Sequence, residues 1–121
     1  MSIVIVKRSK KNRVKGNPTI KFYSYGNYFT FSYRAKDMLD VNPGDGVMFA
    51  FNFKEKKAFV FKEDDEDSFV LNKIQNRNIL RFGSKELAEY FHKCFCLTDE
   101  KKHIFQLKQT DTEKFEMEYV P

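Results

Sequence analysis

TIKFYSYGNYFTFSY, residues 19–33, is the stretch that decides the fold. Ile20, Phe22 and Ser24 alternate with Lys21, Tyr23 and Tyr25, and after Gly26 and Asn27 the alternation resumes with Phe29, Phe31 and Tyr33. A period of two sends successive side chains to opposite faces of an extended strand. A Gly-Asn pair between two such runs predicts a hairpin closed by a two-residue turn. The stretch therefore reads as two antiparallel strands with an apolar face turned inward.

Working outward toward the C-terminus, Ser32 is placed to cap a short helix at about 33–40 that carries Met38 and Leu39. Asn42, Pro43, Gly44, Asp45 and Gly46 form a turn. Four strand-like runs follow. Val47, Phe49, Phe51 and Phe53 share one face of the first, residues 58–62 make the second, 68–73 the third and 79–82 the fourth. Strands about ten residues apart predict an antiparallel sheet or barrel.

Residues 85–96 form the clearest helix. Ser84 is its N-cap, Glu86 suits the positive end of the dipole, and Glu89 and Lys93 stand four apart. Leu87, Ala88, Phe91, Cys94 and Phe95 make a wide apolar stripe, which implies packing on a sheet. A second hairpin closes the sequence, with 103–109 and 114–120 as strands.

The expected fold is α+β: a bent antiparallel sheet or partial barrel of six to eight strands, with the 85–96 helix on its apolar face. The expected core is Phe22, Phe31, Phe49, Phe51, Leu71, Leu80, Leu87, Phe91 and Phe105. With 14 Phe, 6 Tyr and no Trp, phenylalanine is the main core-filling side chain. A chain of 121 residues suits one domain, here a basic arm at 1–18 and an α+β domain at 19–121.

No run approaches the ~20 apolar residues of a membrane span. Residues 1–6 are apolar, but their cations follow them, which is the wrong order for a signal peptide. The 2 cysteines, Cys94 and Cys96, stand too close together to staple distant elements. A reducing, cytoplasmic setting is the expectation.

Charge is distributed unevenly. Residues 1–36 hold nine Lys or Arg and no acid, whereas the rest holds thirteen basic and seventeen acidic residues. Lys7, Arg8, Lys10, Lys11, Arg13 and Lys15 form a run that cannot be buried. Such a run attracts nucleic-acid phosphates and makes binding salt-dependent through counterion release. An anionic membrane would attract it too, but no amphipathic helix or lipid signal accompanies it. Tyr23, Tyr25 and Tyr28 cluster at the hairpin tip beside Lys21, where rings can stack on bases while cations follow the backbone.

Other chemistries find less support. His92, Cys94, Cys96 and His103 are zinc-ligand types, but on a helix Cys94 lies about 200° round from His92, so the two diverge. The run Glu63, Asp64, Asp65, Glu66 and Asp67 lacks EF-hand spacing and reads as a solvated turn. There is no nucleophile elbow, and the 5 glycines are scattered singly without forming a phosphate loop. The sequence reads as a non-enzyme without metal or cofactor.

Residues 28–62 resemble the AbrB/SpoVT family of swapped-hairpin transcription factors. Leu39, Val41, Pro43, Gly44, Asp45, Val47 and Phe49 sit at the positions of that family's helix, Pro-Gly-Asp turn and strand. The resemblance implies an interleaved dimer gripping DNA, with Arg34 and Lys36, beside the arm, as contacts. The family's Pro near the helix start is absent here, and the 85–96 helix falls outside its small module. The order of elements over 47–96 resembles the whirly and positive-cofactor folds, which bind single strands on a curved, dimerising sheet. The expected function is thus non-catalytic binding of nucleic acid, DNA foremost, by a homodimer. The alternative is a protein-interaction component of a larger, phage-like assembly.

Overall fold

A computed structural model describes residues 17–74, 79–97, 102–110 and 114–120. The basic run at 7–15 and residues 75–78 lie outside the described residues. The elements are β1 (Thr19–Tyr23), β2 (Tyr28–Phe31), α1 (Tyr33–Leu39), β3 (Gly46–Asn52), β4 (Lys57–Lys62), β5 (Phe69–Val70), β6 (Asn72–Lys73), β7 (Leu80–Gly83), α2 (Lys85–Phe95), β8 (Lys102–Gln109) and β9 (Lys114–Val120). No described helix is long and apolar enough to cross a membrane.

All strands join one antiparallel sheet in the order β5-β3-β4-β9-β8-β1-β2-β7-β6. The two ends of that order are sequence neighbours, separated only by Leu71. Phe69 and Val70 pair with β3, while Asn72 and Lys73 pair with β7. Between them the Leu71 N–H donates to the Asp45 carbonyl at 2.9 Å, and its own carbonyl accepts from the Gly44 N–H at 2.8 Å. The sheet is therefore almost a closed barrel of nine strands, where six to eight were expected.

The third expected strand, 68–73, is two short ones, because Leu71 turns fully inward and each side pairs with a different neighbour. The first hairpin also departs from expectation. Tyr23 pairs directly with Tyr28, so the turn spans four residues, 24–27, and not two. Asn27 is in the left-handed region at φ 53°, and the Gly26 N–H donates to the Tyr23 carbonyl. A two-residue type I′ turn needs positive φ at both central residues, and here Asn27 alone of the pair has it.

Both helices are capped as expected. Ser32 Oγ accepts from the Ala35 N–H at 3.2 Å, and Ser84 Oγ from the Leu87 N–H at 3.0 Å. Each ends on a left-handed residue, Asp40 and Cys96 respectively.

Helix α2 supplies the centre of the core. The Phe91 ring, wholly buried, lies 5.1 Å from Phe29, Phe51 at the same distance, Phe105 at 5.2 Å and Phe22 at 5.7 Å. Phenylalanines from β1, β2, β3 and β8 thus converge on one helical side chain. Each such burial stabilises by roughly 1.5–3 kcal/mol, and ring pairs add to that. Of the expected core, Phe49 and Phe51 are only half-buried; the other seven are buried.

Candidate nucleic-acid interface

Register decides which side chains share the outer face. Because Ile20, Phe22, Phe29 and Phe31 point inward, Thr19, Lys21, Tyr23, Tyr28 and Thr30 point outward. Pairing extends that face in two rows across the sheet. One row runs Arg81, Thr30, Lys21, Ile104, and the next runs Gly83, Tyr28, Tyr23, Lys102. Three cations, Lys21, Arg81 and Lys102, therefore surround two tyrosines on one surface.

The tyrosines touch one another. The Tyr23 and Tyr28 ring centroids are 4.6 Å apart and nearly parallel, at 16°. Tyr25 stands edge-on to both, at 5.8 Å and 6.2 Å. The Arg81 guanidinium sits 5.0 Å from the Tyr28 ring centre. Cation, ring and ring thus form one column, worth about 0.5–1 kcal/mol at the exposed cation–π contact. The facing sides of Tyr23 and Tyr28 are occupied by each other. Tyr25, 60% exposed, presents most of its ring to solvent. Its hydroxyl pKa is raised, first by its hydrogen bond with Tyr28 and then by desolvation and the neighbouring phenols.

A depression of about 180 Å³ continues from the tyrosines along the hairpin, lined by Thr19, Lys21, Tyr23, Thr30, Ser32, Ile74 and Ile79. It combines an ammonium, three aliphatic hydroxyls and a phenol ring with aliphatic walls, the groups that contact phosphate, base edges and base faces. The cationic surface ends at β9, where Glu116 and Glu118 alternate with the buried Phe115 and Met117.

The structure brings Lys21, Tyr23, Tyr25 and Tyr28 together. It does not bring Arg34 and Lys36 to them. Both lie on α1, which starts at the opposite end of the hairpin, where the Ser32 N–H donates to the Thr19 carbonyl. Lys36 there packs over Tyr33 at 5.8 Å. Lys7, Arg8, Lys10, Lys11, Arg13 and Lys15 lie outside the described residues. Arg81 and Lys102 were missed by sequence reasoning. Neither belongs to a cationic cluster that marks it out in sequence, and only the register places it beside the tyrosines.

The remaining titratable residues go elsewhere. His92 Nδ1 lies 3.0 Å from the Leu97 carbonyl, and buried His103 Nδ1 is 2.9 Å from the Tyr119 hydroxyl. Cys94 is buried, its Sγ 3.6 Å from the Lys57 carbonyl, while Cys96 is exposed. Burial pushes the Cys94 thiol pKa up. No group of three or more metal-ligating side chains occurs among the described residues. The acidic run at 63–67 is a solvated turn, in which Asp64 caps the Gly46 N–H at 2.9 Å and Asp65 that of Asp67 at 3.2 Å.

Comparison with known protein families, curated proteins and solved structures finds no match for this chain.

Proposed function

We propose that the protein binds nucleic acid, DNA foremost, without catalysing a reaction on it. The observation that carries this reading is the outer face of β7, β2, β1 and β8, where Lys21, Arg81 and Lys102 surround Tyr23, Tyr25 and Tyr28. The cations hold phosphates, Tyr25 offers a ring for an unpaired base, and the arm cations add affinity of the same kind. A homodimer belongs to the reading. The outward side chains Met48, Ala50, Phe59 and Phe61 of β3 and β4 form an apolar face that supports it.

The test is fluorescence anisotropy on random single-stranded and duplex oligonucleotides across a range of salt. Each phosphate contact contributes about 0.7–0.9 to the slope of log affinity against log salt. Combining Lys21→Ala, Arg81→Ala and Lys102→Ala should therefore lower that slope by about 2–3. An unchanged slope removes this face from the reading, and no binding even at low salt removes the reading altogether. A protein-interaction role is the second reading, favoured by an apolar groove on another side of the molecule.

A further inference from the structure

Helix α2 does not cover the whole inner face of β3. Beside it runs a groove of about 590 Å³ lined by Phe49, Phe51, Phe53, Phe69, Leu87 and Tyr90, together with Asp67 and Glu86. The Phe51 ring is 5.8 Å from Phe53 and 5.6 Å from Tyr90, near-parallel to both, so the three make one aromatic wall. Phe53 is 41% and Tyr90 45% exposed, an unusual state for large rings already in contact with a core. The same groove explains why Phe49 and Phe51 stop short of burial.

Its chemistry is not that of the tyrosine face. Asp67 enters from the loop before β5 and Glu86 from the first turn of α2, and exposed acids at 63–66 adjoin the first. Among the described residues no lysine or arginine forms an ion pair with Asp67 or Glu86. Covering carboxylates with apolar surface strips their water, which is strongly unfavourable unless a cation replaces it. An occupant must then bring apolar bulk for the rings and positive charge for the rim. The aromatic wall already receives an ammonium, since Lys93 Nζ lies 5.3 Å from the Phe53 centroid. Phosphate-bearing ligands are repelled by the same acids.

We propose that this groove docks a segment of a partner protein in which bulky apolar side chains alternate with lysines or arginines. The site is independent of the nucleic-acid reading. The charge pattern selects the partner: apolar contact gives affinity, and the acidic rim rejects segments bearing Asp or Glu.

The probe is the fluorescein-labelled peptide KLFKLFK, titrated with the full chain at physiological salt and compared with ELFELFE. The basic peptide should bind at least about tenfold more tightly than the acidic one. Asp67→Asn combined with Glu86→Gln should weaken it by about tenfold, and Tyr90→Ser by a similar factor. Lys21→Ala with Arg81→Ala, on the other face, should leave it within about twofold. Should Tyr90→Ser fail to fold, as judged by circular dichroism, the two neutralised surface carboxylates carry the test. Equal binding of the two peptides, or indifference to the carboxylate changes, overturns the proposal. So does sedimentation of the native chain as a dimer that Tyr90→Ser dissociates, since the occupant is then a second copy.

Discussion

Truncating Phe91 to alanine tests the central claim about how the helix and sheet are held together. The ring is fully buried and within 6.0 Å of Phe22, Phe29, Phe49, Phe51, Phe95 and Phe105. Replacing a buried Phe by Ala costs about 3–5 kcal/mol, through lost transfer energy and the cavity left behind. Ring pairs contribute beyond area alone, so the upper part of that range, about 4–5 kcal/mol, is expected here. Total stability for a domain is about 5–15 kcal/mol, so the variant loses roughly a quarter of it or more. With a urea m-value of about 1.5 kcal/mol/M, the unfolding midpoint should fall by about 3 M. Equilibrium urea titration followed by far-ultraviolet circular dichroism reads this directly. Phe91→Leu, which keeps most of the volume, should lose well under half as much. A fall below about 0.5 M for Phe91→Ala would mean that the six surrounding rings do not depend on the seventh, and the account of the core would be wrong.

Two further outcomes follow from local geometry. Gly46→Ala should destabilise by about 1–3 kcal/mol in the same titration, because a Cβ there would sit 2.6 Å from the Glu63 carbonyl oxygen and 2.7 Å from Ser68 Cβ; a neutral result would mean that the β3 entry readily gives way. With Ellman's reagent at pH 8 one thiol, exposed Cys96, should react at once, while Cys94, buried and with its thiol pKa raised by that burial, should react only after urea is added. Equal rates in the native state would contradict the packing of α2 on β3 and β4.

What could be read in advance was what short-range chemistry determines. Ser84 and the apolar stripe of α2 are contained within twelve residues, so that helix was legible almost to its ends. The same holds for α1 behind Ser32 and for the alternation of β1 and β2. The split at Leu71 was hidden because one of its two causes, pairing of residues 69–70 with β3, lies distant along the chain, while the other is the local pairing with β7. The candidate interface was half legible for a related reason. Tyr23, Tyr25, Tyr28 and Lys21 belong to one hairpin, whereas Arg81 and Lys102 reach it only through pairing of β7 with β2 and β8 with β1. Arg34 and Lys36, close to the tyrosines in sequence, are carried to the far end of the hairpin by the direction of β2. The groove could not be anticipated, because its rings come from β3 and the turn after it, β5 and α2, and look in sequence like ordinary core.

The near-closure of the sheet through residues 69–73 also bears on how the molecule comes apart. Two paired residues on either side of Leu71 hold together strands that elsewhere share four to six partners. Among the described strand pairings this seam has the fewest paired residues, so local opening is expected to start there and amide exchange to be faster along it than along the longer pairings. Parting it bares the edges of β3 and β7, with their unpaired N–H and C=O groups. A chain in that state is a template for a second chain in the same state. The short seam therefore links breathing of one molecule to pairing between two, and mutations at Leu71 would act on association as much as on stability.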